Sequence, residues 1–433
     1  MERVAQLLDP SCTEHSLQQA LVCLWVLARD RLNTWEQGEN EATIEKDRVA
    51  FDEDLQAERK IPQTRIEQAP LALIRALDDF LAAMRTPHAV LHAGHEEALH
   101  HEGGTAYWLV PVTQNARRQA RTVRQTGYLS RWFHHHAVLP QRTAYGIQVR
   151  MQTSRSALDT GFRSLLADGV PQLKVWVAHF DDEADVVGDQ QMSAIGNWRA
   201  LCVQPDSVRT MSIQRTLDDA RAAGAQVVVF PEFTIDVAQR QVVIDVLRAD
   251  PTGPCLVVAG SFHEPVSPPA SMPAFNTAPV YAQGGRHLFS QRKLRLFGDR
   301  DSGAEYVDVG RQIEVLLTPV GCMTVLICRD FIDEDVAVRS LLNEVPVDWV
   351  WVPSFGNEAT LRAHKRRAYT LATVTPGTSV AVAQTKNSAA EPHGRALPGF
   401  AHAGGQKDPV DVPAQGCCVG LPLGQQPTLR VVK

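Results

Sequence analysis

No stretch of this 433-residue chain approaches the roughly 18 apolar residues that a membrane span needs, and the longest near the start, Ala20 to Ala28, is far too short. The basic start of a secretory leader is missing as well, because Glu2 and Asp9 stand where positive charge belongs. Cysteine is sparse: eight residues, none at C-x-x-C spacing, with Cys417 and Cys418 adjacent, which suits neither a zinc site nor a small disulfide framework. Reduced thiols and a cytoplasmic location are the expectation. Charge of one sign is also lacking. Lys and Arg number 43 against 49 Asp and Glu, and a net charge of -6 gives no general pull toward nucleic acid or anionic lipid. Internal repeats and low-complexity tracts are absent. What remains is an ordinary globular composition, 44% hydrophobic and 21% charged, long enough for two or three domains.

Residues 1 to 172 read mainly as helix. Leu17, Ala20, Leu21, Leu24 and Ala28 repeat at helical spacing over Ser16 to Arg31, and Leu73, Leu77 and Leu81 do so over Leu71 to Met84. Glu39 to Lys60 is strongly charged, an exposed helix or a linker. Gly103-Gly104 precedes a strand-like run, Ala106 to Val112. From Leu173 onward short β runs alternate with helical stretches, which predicts an α/β layered domain over 173 to 433. Gly284-Gly285 marks a hairpin between Asn276–Ala282 and His287–Arg292. A helix is expected over Glu358 to Val374 and a strand over Ser379 to Thr385. Beyond Asn387 the pattern fades into Gly, Pro and Ala and assigns no element.

The chemistry concentrates where strands of this half end. Thr324-Val325-Leu326-Ile327 suits a buried strand, runs into Cys328, and turns at once into Arg329-Asp330-Phe331 and a helix-like segment reaching Asn343. Such a corner holds a sulfur at a sharp turn, with backbone N–H groups available as an oxyanion hole. Glu232 follows Val227-Val228-Val229-Phe230-Pro231, and Lys293 follows Leu288-Phe289-Ser290-Gln291-Arg292. A carboxylate, an ammonium and a thiol at one sheet edge can converge: the acid takes the thiol proton, and the ammonium stabilises first thiolate, then oxyanion. Each residue alone is more simply a core thiol or a solvated strand-end charge.

Together and in this order they resemble the carbon–nitrogen hydrolases (nitrilase superfamily), whose signature is a Glu–Lys–Cys triad. The matching stretches are Ala222 to Glu232, Gln291 to Leu296 and Ile327 to Phe331. Supporting matches are Ala200–Gln204, Val258–Ser261, Phe275-Asn276-Thr277, Trp351–Ser354 and Arg367-Ala368, so the resemblance covers roughly 195 to 387. It implies an α-β-β-α sandwich, with Glu232, Lys293 and Cys328 catalytic and Glu305 as a second glutamate that orients the lysine. Phe233, Asn276, Arg329, Ser354 and Phe355 would contact substrate. The implied reaction passes through an acyl-enzyme and needs no metal or organic cofactor. Arg329-Asp330 replaces the Trp-Glu that follows the nucleophile of true nitrilases, so an amide or carbamoyl C–N bond is expected rather than a nitrile. Phe331-Ile332-Asp333-Glu334 departs from the usual aromatic-Pro-Glu, which leaves the substrate open. A homo-oligomer is expected from the resemblance alone.

Residues 1–172 would be an accessory domain that narrows access or holds a protein partner. Eight of the fifteen histidines fall between His88 and His136. His95-Glu96-Glu97-Ala98-Leu99-His100 misses the H-E-x-x-H zinc spacing by one residue, and a surface histidine cluster is expected, His134-His135-His136 included. Arg117, Arg121 and Arg124 would line a solvated helical face near Tyr128, Trp132 and Phe133, with no nucleic-acid partner expected. The competing reading of the whole chain is an effector or scaffold module that keeps the hydrolase fold while its helical half recognises a protein or nucleic acid.

Overall fold

The computed structural model describes residues 1–10, 12–38, 40–84, 99–102, 104–111, 132–153, 161–162, 172–180, 186–189, 199–203, 206–250, 252–265, 274–299, 303–333, 335–374, 378–386, 399–404, 406, 408–413, 416–423 and 431–432. Two compact units emerge, Met1–Thr143 with Glu344–Pro346, and Ala144–Asn343 with Val347–Lys433. Residues 144–172, grouped with the helical half on sequence, thus include a strand of the second unit, Gln148–Thr153. Among the described residues no helix is long and apolar enough to cross a membrane. All eight cysteines are free thiols.

The first unit holds helices Glu2–Leu7, Glu14–Gly38, Glu41–Gln56, Gln63–Gln68 and Pro70–Met84, and an antiparallel sheet of Leu99–Glu102, Thr105–Pro111 and His136–Pro140. The charged stretch after Glu39 is a helix. Asn40 caps it by accepting from Thr43 N–H, and only Ile44, Phe51 and Leu55, one face, are buried. The heptad-like leucines of the long second helix and of Pro70–Met84 share one core with Tyr107, Leu109, Trp132 and Phe133. Trp132 and Phe133 are therefore core residues. Arg117, Arg121, Arg124, Tyr128 and the histidines from His88 to His95 lie outside the described residues.

His134–His136 do not form a surface cluster. His134 and His136 are buried, and Asp78, itself buried, accepts from His134 N–H at 2.5 Å and His135 N–H at 2.7 Å. His136 Nδ1 lies 2.8 Å from the other Asp78 oxygen, and His135 Nε2 lies 2.9 Å from Asp79. One helix thus clamps the start of the strand His136–Pro140 through a buried carboxylate. No group of residues suited to a metal occurs among those described.

In the second unit two sheets stack. One runs Phe262–Pro265, Ala274–Ala282, Leu256–Val258, Val227–Val229, Gln172–Val177, Cys417–Pro422 and Val431–Val432, with Arg286–Arg292 also paired to Ala274–Ala282. The other runs Val410–Asp411, Gly399–His402, Ser379–Lys386, Trp349–Gly356, Gly321–Val325, Gln312–Thr318 and Gln148–Thr153. Strand period decides the layering. Val227 and Val229 enter a core shared with Met323, Val325, Trp349, Trp351 and Ala381 of the other sheet, whereas Val228 faces Ile213, Leu217, Val243 and Leu247 of helices Asp206–Ala222 and Arg240–Ala249. Strands apolar on both faces belong to parallel pairs flanked by helices. Helix Glu358–Val374 buries Leu361, Ala368 and Leu371 outside the second sheet, completing an α-β-β-α sandwich. The hairpin Ala274–Ala282/Arg286–Arg292 turns through Gln283–Gly285, as expected.

The segment after Asn387 that assigned no element on sequence supplies strands to both sheets. Gly399–His402 pairs with Ser379–Lys386, and Cys417–Pro422 pairs antiparallel with Gln172–Val177. Cys417 faces the inter-sheet core and Cys418 the helix side, which is why two adjacent thiols belong to neither a metal site nor a disulfide.

Asp78→Ala would strip the partner from the buried His134 N–H and the buried His136 ring, each worth about 1–3 kcal/mol, and from the half-buried His135 N–H, so a loss of roughly 2–5 kcal/mol is expected. Urea denaturation of the purified protein checks it, and an unchanged midpoint would show that the clamp contributes nothing.

Candidate active site

Glu232, Lys293 and Cys328 stand at strand ends on one end of the sandwich, fixed there by backbone bonds that bridge the sheets. Glu232 N–H donates to Ser354 O at 3.3 Å, and Thr385 Oγ1 donates to Glu232 O at 3.0 Å, tying the acid of one sheet to two strands of the other. Cys328 N–H donates to Pro353 O at 2.8 Å. Gly260 is required beside the acid: its φ is +63°, and a Cβ there would come within 2.2 Å of Pro231 O.

Lys293 is 1% exposed, and its ammonium donates to Glu232 Oε1 at 2.9 Å and to Glu305 at 3.0 and 2.8 Å. Asn276 Nδ2 bridges the same acids, 2.8 Å from Glu232 Oε1 and 3.0 Å from Glu305 Oε1. Glu305 also accepts from Phe297 N–H at 2.6 Å and lies 3.1 Å from His263 Nε2, whose Nδ1 accepts from Ala200 N–H. The two acids differ in consequence. Burial would raise Glu305, but Lys293 and His263 win and hold it well below the usual carboxylate range. Burial dominates at Glu232 and, with the Glu305 charge, holds it above that range against the pull of Lys293. Burial alone would lower Lys293; the two carboxylates reverse this and hold it firmly as an ammonium.

Cys328 caps the four-residue helix Arg329–Ile332 with φ 45° and ψ -100°, a backbone conformation that a side chain rarely adopts. Strain of this kind, typically about 1–3 kcal/mol, persists only where surrounding bonds enforce it. Asp330 does so. Its Oδ1 accepts from Leu294 N–H at 2.9 Å and Arg295 N–H at 2.8 Å, its Oδ2 from Ile327 N–H at 3.2 Å. One carboxylate thus ties the cysteine's turn to the two residues that follow Lys293. Burial pushes Asp330 up to about 7 against these bonds.

Burial likewise pushes the Cys328 thiol up to about 12; the Glu232 charge adds to that, and Lys293 opposes it. The sulfur lies 3.5 Å from Phe355 O and 3.5 Å from Ser354 Oγ. Phe233, also at positive φ, sets its ring edge-on to Phe355 at 5.4 Å and to His263 at 5.0 Å. The Arg329 guanidinium is engaged by Asp333 at 2.8 Å and Gly298 O at 3.2 Å, and its backbone N–H has no backbone acceptor among the described residues.

Glu232, Lys293, Glu305 and Asn276 thus form one hydrogen-bonded cluster, with Cys328, Ser354, Phe355 and Phe233 beside it. Sequence reasoning missed His263 and the anchoring work of Asp330. His263 follows Gly260-Ser261-Phe262 on the strand beyond the acid, and its chain position alone carried no sign of Glu305. Asp330 was legible as an acid two residues past the cysteine, but not as a backbone acceptor.

Asp330→Ala leaves two buried N–H groups, of Leu294 and Ile327, without their acceptor, at about 1–3 kcal/mol each, and the half-buried Arg295 N–H as well. Thermal unfolding should fall, and Cys328 alkylation should slow, whereas Asp330→Asn, which keeps one carbonyl oxygen, should lose less of both; equal behaviour of the two variants would refute the anchoring role.

No family model matches the sequence, and no curated protein matches it. Among solved structures the chain is similar to Nit3 of Saccharomyces cerevisiae, described as a member of branch 10 of the nitrilase superfamily, at 15% identity over 59% of this chain and 90% of that one, TM-score 0.43. It is similar to an amidase from Nesterenkonia sp. at 18% identity over 59% and 92%, TM-score 0.41. A glutamine-dependent NAD+ synthetase from Acinetobacter baumannii shows 15% identity over 60% of this chain and 49% of its own, TM-score 0.41. Stacked sheets between helix layers, with an acid, a lysine and a cysteine at one end, make the second unit an α-β-β-α sandwich with its candidate site at the strand ends.

Proposed function

We propose that the chain is a cysteine-dependent hydrolase of a non-peptide C–N bond, an amide or carbamoyl group rather than a nitrile. The observation that carries this reading is the buried Lys293 ammonium held between two unequal carboxylates beside a thiol on a strained turn.

The inequality assigns roles. Glu305, stabilised as an anion by Lys293, His263 and Phe297 N–H, orients the lysine and stays charged. Glu232, held above the usual range, is the one that can take and return a proton. Cys328 passes its thiol proton to Glu232, and the thiolate bonds to the carbonyl carbon. The C=O pair moves to oxygen, where the Lys293 ammonium and Arg329 N–H stabilise it; one such donor is typically worth about 10²–10³ in rate. Collapse breaks the C–N bond while Glu232 returns the proton to the departing nitrogen, leaving a thioester. Water, deprotonated by Glu232, then adds to the thioester carbon. Collapse of this second adduct expels the Cys328 thiolate, and the proton on Glu232 restores the thiol. No step uses a group from outside the chain other than substrate and water.

Cys328→Ala should abolish ammonia release from an amide panel, together with the single adduct formed by iodoacetamide in intact-protein mass spectra. Glu232→Gln should lower turnover by about 10²–10⁴. Slow labelling spread over several cysteines, with no turnover, would sink the hydrolase and favour a scaffold.

Glu232 must be ionised to act as base, so activity should rise with pH, its acid limb lying above the free glutamate value of about 4.3. That limb should vanish from the residual rate of Glu232→Gln. A kcat/KM profile falling at or below the ordinary carboxylate range would overturn the role assignment.

A further inference from the structure

A thiol pushed up by burial needs more than one lysine to reach its anion, and a second polar line approaches the sulfur from the neighbouring strand of its own sheet. Ser354 Oγ stands 3.5 Å from Cys328 Sγ, 3.5 Å from Gln384 Oε1 and 2.9 Å from His364 Nε2. His364, on helix Glu358–Val374, is 0% exposed and stacks on Phe331, ring centroids 5.8 Å apart. Its Nδ1 has no partner among the described residues.

That vacancy selects the tautomer. A buried N–H without an acceptor is rarer and costlier than a bare acceptor. The proton therefore sits on Nε2, and His364 donates to Ser354 Oγ. Burial keeps the imidazole neutral, its pKa lowered to about 3. Ser354 then has one proton and two acceptors at equal distance. Gln384 is fixed with its oxygen toward Ser354, because its Nε2 donates to Gly356 O and Asn357 O, both at 3.1 Å. While Cys328 is a thiol it donates to Phe355 O, and the serine hydroxyl rests on Gln384. Once the thiol proton has left for Glu232, rotation about one C–O bond brings the hydroxyl onto the anion.

We propose that Ser354, held by His364, is a hydrogen-bond donor to the Cys328 thiolate rather than a substrate contact, and that His364 is a positioning residue acting through it. This rests on Cys328 being the nucleophile. Charged groups acting on the sulfur are Glu232 and Lys293, and Asp330 of the following turn is taken up by Ile327, Leu294 and Arg295 N–H groups. Phe331 and Ser354 face the imidazole. Serine therefore supplies the thiolate with a neutral donor that does not titrate in the working range.

The test is the iodoacetamide labelling rate of Cys328 against pH in the full chain, read by mass, for the unmodified protein, Ser354→Ala, His364→Phe, His364→Gln and the double variant. Ser354→Ala and His364→Phe should each shift the midpoint upward by about one pH unit, roughly tenfold slower labelling at neutral pH. The double variant should be no worse than either, because the two act in series. His364→Gln, which keeps a donor, should recover part of the shift. A midpoint unmoved in Ser354→Ala, a change that removes one atom and does not depend on His364→Phe folding, overturns the proposal. So do additive shifts, or a Ser354→Ala shift that His364→Phe does not reproduce in folded protein. If the unmodified protein shows no rapid labelling at Cys328, the hydrolase reading fails first; rapid labelling with unmoved midpoints removes the serine donor alone.

Discussion

The arrangement depends on one buried ammonium shared by two carboxylates. Lys293 could not keep its charge in a dry site without Glu232 and Glu305, and neither acid could be buried without Lys293. Two acids and one cation leave one negative charge in excess. The surrounding donors decide where it settles. Asn276 serves both acids, but Phe297 N–H and His263 turn to Glu305 alone, so Glu232 is left as the acid with the weaker claim on its anion. Unequal solvation of two chemically identical groups is what separates an orienting acid from a proton carrier.

The thiol is arranged by different means. Its backbone is strained, and the strain is held by Asp330, which reaches the segment after Lys293 through two N–H bonds. Placement of the cysteine's turn against the backbone that carries Lys293 is therefore set by main-chain bonds to one carboxylate, and fixed placement is what orientation-dependent catalysis needs.

Much of this was legible in sequence where segments were strongly apolar and sharply punctuated. Val227–Val229, the Gly284-Gly285 hairpin and the helix Glu358–Val374 could be read from pattern, and the strand-end Glu232, Lys293 and Cys328 stood out by abrupt polarity. The C-terminal strands were not legible, because Gly399–His402 and Cys417–Pro422 are rich in small residues whose burial comes from two neighbouring layers rather than their own hydrophobicity. His134–His136 misled for the opposite reason. Three consecutive imidazoles suggest solvent, yet a buried Asp78 satisfies two of their N–H groups and one ring. Partnership between distant residues, not residue type, decided each miss, including His263.

The strand Cys417–Pro422 has a consequence for the order of assembly. It pairs with Gln172–Val177, a partner far back along the chain, and it covers both the inter-sheet core and the helix side of that sheet. Glu232, Lys293 and Cys328 are all synthesised before it. Contacts so distant in sequence close late, because the loop entropy between them must be overcome before they contribute. The nascent chain therefore carries its nucleophile for some time on an unclosed sheet, with the inter-sheet core that Cys328 shares with Cys417 left open until that strand docks.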